Sequence, residues 1–117
     1  MIDLAFSTNA FKKNTLEEAV EAIARIGYGG VELMADVPHA YPQNMDQQRT
    51  ARLRDRLKQL GLSVSNVNAF TLFACGDTYH PTWIEDDQAK RRTRIEHTLA
   101  SIELAMTYHG SDLPPRK

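Results

Sequence analysis

Cysteine is almost missing from this chain. One residue, Cys75, stands among 117, so no internal disulfide can form and the fold must rest on burial and hydrogen bonding. A dominant charge is missing too: 14 Lys and Arg against 15 Asp and Glu leave a formal net charge of −1 and a pI of about 6.4. Without a broad positive field nothing would hold a phosphate backbone, and nucleic acid is not expected as a partner. No apolar run approaches the ~20 residues of a membrane helix. The start, Met1-Ile-Asp-Leu-Ala5, lacks the basic region and long apolar segment of a secretory signal. Together these absences point to a reduced, cytoplasmic setting with no membrane contact. What the chain does have is ordinary globular composition, 42% hydrophobic and 25% charged, in a length that suits one domain with a buried core.

The most informative stretch is Ile26-Gly-Tyr-Gly-Gly-Val-Glu-Leu-Met34. Upstream, Thr15 with Glu18 three residues on has the spacing of a capping box. Leu16, Ala19, Val20, Ile23 and Ala24 then follow helical periodicity up to Gly27, which suits a helix end. Gly29 and Gly30 lead into a short strand, Val31–Met34, with Glu32 in its middle. A strand covered on both faces normally reads as unbroken apolar, so this carboxylate needs a partner or a task.

Residues 2–7 read as an earlier strand that ends in Ser7-Thr8-Asn9. Pro38 and Pro42 make 35–42 a loop. A second helix is expected from about Asp46 to Gly61, with Ala51, Leu53, Leu57 and Leu60 inward. Leu62–Phe70 reads as a third strand, in which strict alternation puts Val64, Asn66 and Asn68 on one face. After a loop over 71–84, Glu85-Asp-Asp87 places negative charge at the start of a long helix. Ile95, Leu99, Ile102 and Met106 supply the apolar spacing of that helix, and the Lys90-Arg91-Arg92 run with Arg94 reads as a solvated face.

Strands starting near residues 2, 30 and 63 define βα units of roughly thirty residues, the size of repeated parallel crossovers. A fourth strand is due just after Gly110, but Ser-Asp-Leu-Pro-Pro-Arg-Lys117 cannot make a central parallel strand. Residues 111–117 are therefore expected to be irregular. The Ser-Thr-Asn-Ala end of strand one, the Gly-Tyr-Gly-Gly-Val-Glu-Leu joint and the Gly-Leu-Ser-Val-Ser third strand resemble the N-terminal part of the sugar phosphate isomerase/epimerase family, with its xylose-isomerase-like TIM barrels. The resemblance spans residues 1–110. It implies the first three βα units of a (β/α)8 barrel, an architecture of typically ~250 residues whose sites lie where the strands end. It also implies aldose–ketose isomerisation or epimerisation of a sugar or sugar phosphate, assisted by a divalent metal (Mn, Mg, Co or Zn) that later strands would hold. A chain confined to three units is expected to bind no metal alone and to be inactive.

Within this frame Glu32 is the candidate catalytic residue, because an inward carboxylate could accept a sugar hydroxyl or orient a reacting group. Asn9, Asn66, Asn68 and His80 are candidate substrate-binding residues; the amides offer both donor and acceptor, and His80 sits in the loop where the resemblance places a pocket histidine. Asp36, His39, Asp77 and His80 have no spacing that fixes metal geometry, so no metal ligand is assigned. Cys75 reads as an inert thiol, and Phe70, Phe73 and Trp83 as loop aromatics. Two other functions are weighed: a non-catalytic open half-barrel that self-associates through its sheet edges, and the endonuclease-four-like phosphodiesterase branch of the same fold, which the slight negative charge disfavours.

Overall fold

The structure is a computed structural model that describes residues 3–109. The start of strand one at Ile2 and the expected irregular tail at 111–117 lie outside the described residues. Three strands, β1 (Ala5–Ser7), β2 (Gly30–Met34) and β3 (Ser63–Asn68), alternate with three helices, α1 (Leu16–Ile26), α2 (Gln47–Leu60) and α3 (Gln88–His109). The strands are parallel in the order β1-β2-β3. This is an open α/β sheet, not a closed barrel, with β1 and β3 at its edges.

Local chemistry sets the boundaries. Thr15 Oγ1 accepts the Glu18 N–H at 3.1 Å and Glu18 Oε1 accepts the Thr15 N–H at 2.9 Å, so the capping box that the spacing predicts is formed. Gly27 ends α1 at φ 113°, a left-handed conformation in which any side chain would be strained. Asp46 caps α2 through the Arg49 N–H at 2.7 Å, and Gly61 closes it at φ 70°.

The core lies on one face of the sheet. Leu16, Val20 and Ile23 of α1, Leu53 and Leu57 of α2, and Leu104 and Tyr108 of α3 form one cluster with Val31, Leu33, Leu62 and Val64. Helices therefore cover this face, and by alternation Glu32 belongs to the other.

The structure corrects four expectations. Ala51 of α2 is exposed, because Leu53 and Leu57 already fill the stripe that meets the core. Val64 does not share a face with Asn66 and Asn68. Pairing runs Val31↔Val64 and then Glu32↔Asn66, with an irregularity between them, so Ser65 is an extra residue that turns the following side chains over. The apolar stripe of α3 faces outward: Ile95 is 42%, Leu99 57%, Ile102 52% and Met106 68% exposed, while Arg94, His97, Ser101, Leu104 and Tyr108 are buried. Arg94, expected in solvent, is 2% exposed. It can be buried because Nε donates to the Pro81 carbonyl at 2.7 Å and Nη1 to those of Ala69 and Phe70 at 3.0 Å each.

Candidate functional site

The Ser65 bulge builds a polar cluster on the open sheet face that joins all three strands. Ser7, Glu32 and Asn66 are register partners across β1, β2 and β3, and Asn68 pairs with Met34 two residues further along. Asn66 Nδ2 donates to Glu32 Oε2 at 2.9 Å, and Asn68 Nδ2 donates to Glu32 Oε1 at 3.3 Å. The Asn68 amide is itself oriented, since its Oδ1 accepts the Phe70 N–H at 3.0 Å. Each oxygen of the carboxylate is thus held by a different amide.

These contacts also decide the protonation of Glu32. Partial burial raises its carboxyl, but hydrogen bonds from Asn66, Ser7 and Asn68 outweigh that and hold it below the usual glutamate value. Glu32 is consequently an anion at neutral pH and a weak base. Its carboxylate keeps lone pairs free beyond those the amides use, and Asn66 retains an acceptor and a second donor. The arrangement suits a ligand that offers hydroxyl groups, and it suits orientation of such a ligand better than abstraction of a carbon-bound proton.

Asn9 stands just beyond the end of β1, in a 3-10 turn over Thr8–Phe11. Its N–H donates to Ser7 Oγ at 3.1 Å, which links it to the neighbour of Glu32. Its side-chain Oδ1 is buried with no hydrogen-bond partner among the described residues, an arrangement that costs about 1–3 kcal/mol unless something else satisfies it. His80 is not brought to this cluster. Its side chain is 67% exposed and its contacts are with Asp77 of its own loop, Nδ1 to Oδ1 at 3.3 Å. That loop is tightly folded: a Cβ on Gly76 would lie 2.1 Å from the His80 carbonyl oxygen, so no larger residue fits there.

A divalent metal finds no home in this cluster. Glu32 is the only carboxylate in it, and each of its oxygens faces an amide N–H rather than another ligand. Among the described residues no group of three or more His, Cys, Asp or Glu side chains is placed to share an ion.

A second polar network lies under the loops. Asp36, fully buried, accepts N–H groups from Val37 at 2.8 Å, Phe73 at 2.7 Å and Ala74 at 3.1 Å, which ties the loop after β2 to the loop after β3. His39 Nε2 meets the carbonyls of Phe11 and Asn14 at 3.1 Å each. The Tyr41 ring stacks on His97 with centroids 5.9 Å apart. In sequence Asp36 and His39 are only polar loop residues, and nothing in their spacing marks them as buried anchors. Cys75 is exposed.

Among the described residues no helix is long and apolar enough to cross a membrane. No protein-family model matches the chain, and no curated protein matches it.

Proposed function

We propose that the chain forms the first three βα units of a (β/α)8 enzyme acting on a sugar or sugar phosphate, with Glu32, Asn66 and Asn68 in its hydroxyl-binding wall. The observation that carries this reading is the carboxylate held between two amides on the face of a parallel sheet opposite the helix-covered core. The reaction class is isomerisation or epimerisation beside a carbonyl. Moving a proton between carbons needs a base and an acid near neutral pKa, and a lowered Glu32 alone is neither. The part of Glu32 is to accept a substrate hydroxyl and fix its orientation, while Asn66 and Asn68 hold the carboxylate in place. Asn9 backs the wall through its N–H to Ser7 Oγ; its own Oδ1 is buried and would have to turn outward to accept a hydroxyl. His80, turned into its own loop, is left at the rim.

The test is a side-chain amide NMR titration of the purified chain with a panel of aldoses, ketoses and their phosphates, run beside a turnover assay. Shifts at the Asn66 and Asn68 amides that vanish in Glu32→Gln, without turnover, are the expected result. Turnover by the chain alone, or no response at either amide from any sugar, would overturn the reading.

A second reading is a non-catalytic open α/β module that self-associates. It is favoured by the outer edges of β1 and β3, which pair with no strand among the described residues and offer hydrogen-bonding groups to another chain. Sedimentation separates the two, since only this one requires a discrete oligomer.

A further inference from the structure

Helix α3 carries two faces, and among the described residues only one packs into the core. Its inner face packs Leu104 and Tyr108 into the core and buries Arg94, His97 and Ser101. Its outer face presents Ile95, Leu99, Ile102 and Met106 to solvent, each between 42% and 68% exposed. Their successive spacings are four, three and four residues. That is the narrow 3.5-residue seam by which one helix packs along another at a shallow angle, as opposed to the broader stripe of a helix lying on a sheet. Arg92, seven residues before Leu99 on the same seam, bounds the apolar run at its N-terminal end.

We infer that this seam is a dimer interface, in which α3 pairs side by side and parallel with α3 of a second copy. A second copy supplies the same seam at the same length, so a two-fold axis along the helices matches every apolar position with itself. Charge fixes the direction. With Ile95 and Ile102 at d and Leu99 and Met106 at a, Arg91 falls at g, and Glu96 and Glu103 at e. In a parallel pair each g residue faces the e residue five positions later on the partner helix. Arg91 then meets Glu96 of the second copy, twice by symmetry. In an antiparallel pair e faces e, and the glutamates would oppose one another. Trp83 lies beside the seam, because its Nε1–H donates to Thr98 Oγ1 at 2.9 Å; it is the only tryptophan of the chain.

The inference rests on the association in the second reading above and is independent of what Glu32 binds. It moves the contact from the sheet edges to the helix. The test is analytical sedimentation of the full chain over a wide concentration range, with Trp83 emission as a local reporter. The expected result is a species of twice the 13.2 kDa chain mass and an emission change that follows its formation. Leu99→Glu should leave the circular dichroism and unfolding midpoint of the monomer unchanged, because Leu99 is exposed, and should abolish the dimer. Arg91→Glu should weaken the dimer by roughly tenfold, and adding Glu96→Arg should restore it. Since Arg91 Nη1 also donates to the Glu85 carbonyl at 2.7 Å, its variants are checked for intact helix signal first. A monomer at all concentrations overturns both this inference and the association reading. A dimer indifferent to Leu99→Glu overturns the helix seam while leaving edge pairing intact. A dimer lost in Leu99→Glu but not rescued by the charge exchange overturns the parallel direction.

Discussion

Helices α1 and α3 carry equally regular apolar spacing and put it to opposite uses. In α1 the residues Leu16, Ala19, Val20 and Ile23 are completely buried, and the exposed positions are polar except for Ile26 at the last turn. In α3 the regular apolar positions stay in water, and an arginine, a histidine and a serine go inside. The same physical demands act on both, and α3 meets them only in part, since His97 Nε2 is buried with no hydrogen-bond partner among the described residues. An apolar side chain gains by leaving water, and a polar one can leave water when each of its groups finds a partner. Arg94 meets the second condition with three carbonyl acceptors and the Trp83 ring 4.9 Å from its Cζ. It joins the loop after β3 to the helix that follows. Periodicity therefore marks a face that will be covered somewhere, without saying by what.

The comparison can be broken most forcefully at the buried positions. Arg94→Met should cost about 3 kcal/mol or more, because it strands three carbonyls that lose a charged donor, and Ile23→Ala about 2–5 kcal/mol through lost burial and the cavity left behind. Leu99→Ala, equally apolar and equally regular in its spacing, should change monomer stability by no more than about 0.5 kcal/mol. Urea unfolding at one pH measures all three, and a cost for Leu99→Ala as large as that for Ile23→Ala would erase the distinction between the helices.

A smaller effect comes from pH. Burial lowers the affinity of both His39 and His97 for a proton. The Asn14 and Phe11 carbonyls offset this in part for His39, whereas for His97 the nearby Arg94 charge adds to it and Asp36 partly opposes it. Their folded values lie below the ordinary 6.5, so the unfolded chain takes up protons first. Stability should be full above pH 6.5 and fall as the pH drops below it. His97→Phe, which keeps a ring against Tyr41, should flatten that slope, and an unchanged slope in unfolding midpoints between pH 7.5 and 5.5 would contradict the assignment.

The smallest effect concerns the open face. Asn66→Ala removes one of the donors that lower the Glu32 carboxyl, so the Glu32 pKa should rise, as carboxyl NMR titration would show. The stability that Glu32 contributes is present above its ordinary value of 4.5 and lost as pH falls through the lower folded value; in Asn66→Ala that contribution should be smaller and its loss complete at a higher pH.

Legibility in the sequence followed the range of the interactions. The ends of α1 were readable because Thr15, Glu18 and Gly27 act within a few residues of one another. The three parallel strands were readable because each is bracketed by such local signals. Glu32, Asn66 and Asn68 could be singled out as polar residues in apolar strands, yet the alternation placed Val64 with the two amides, since an extra residue in β3 has no mark of its own in Leu-Ser-Val-Ser-Asn. Asp36, His39 and Arg94 were not legible as buried anchors, because the partners that tie them to other loops lie 13 to 38 residues away and only the folded chain supplies them. The outward face of α3 was missed for a related reason: helical spacing carries no sign that tells inside from outside.

The extra residue at Ser65 has a consequence for how this strand can change over time. It acts as a phase shift within β3, letting Val64 seal the interior while Asn66 and Asn68 stay on the surface that grips Glu32. Removing it would send amides into oil and valine into water together, so a single deletion would damage solidity and recognition at one stroke. Length at this point is under tighter constraint than the identity of the residue that supplies it.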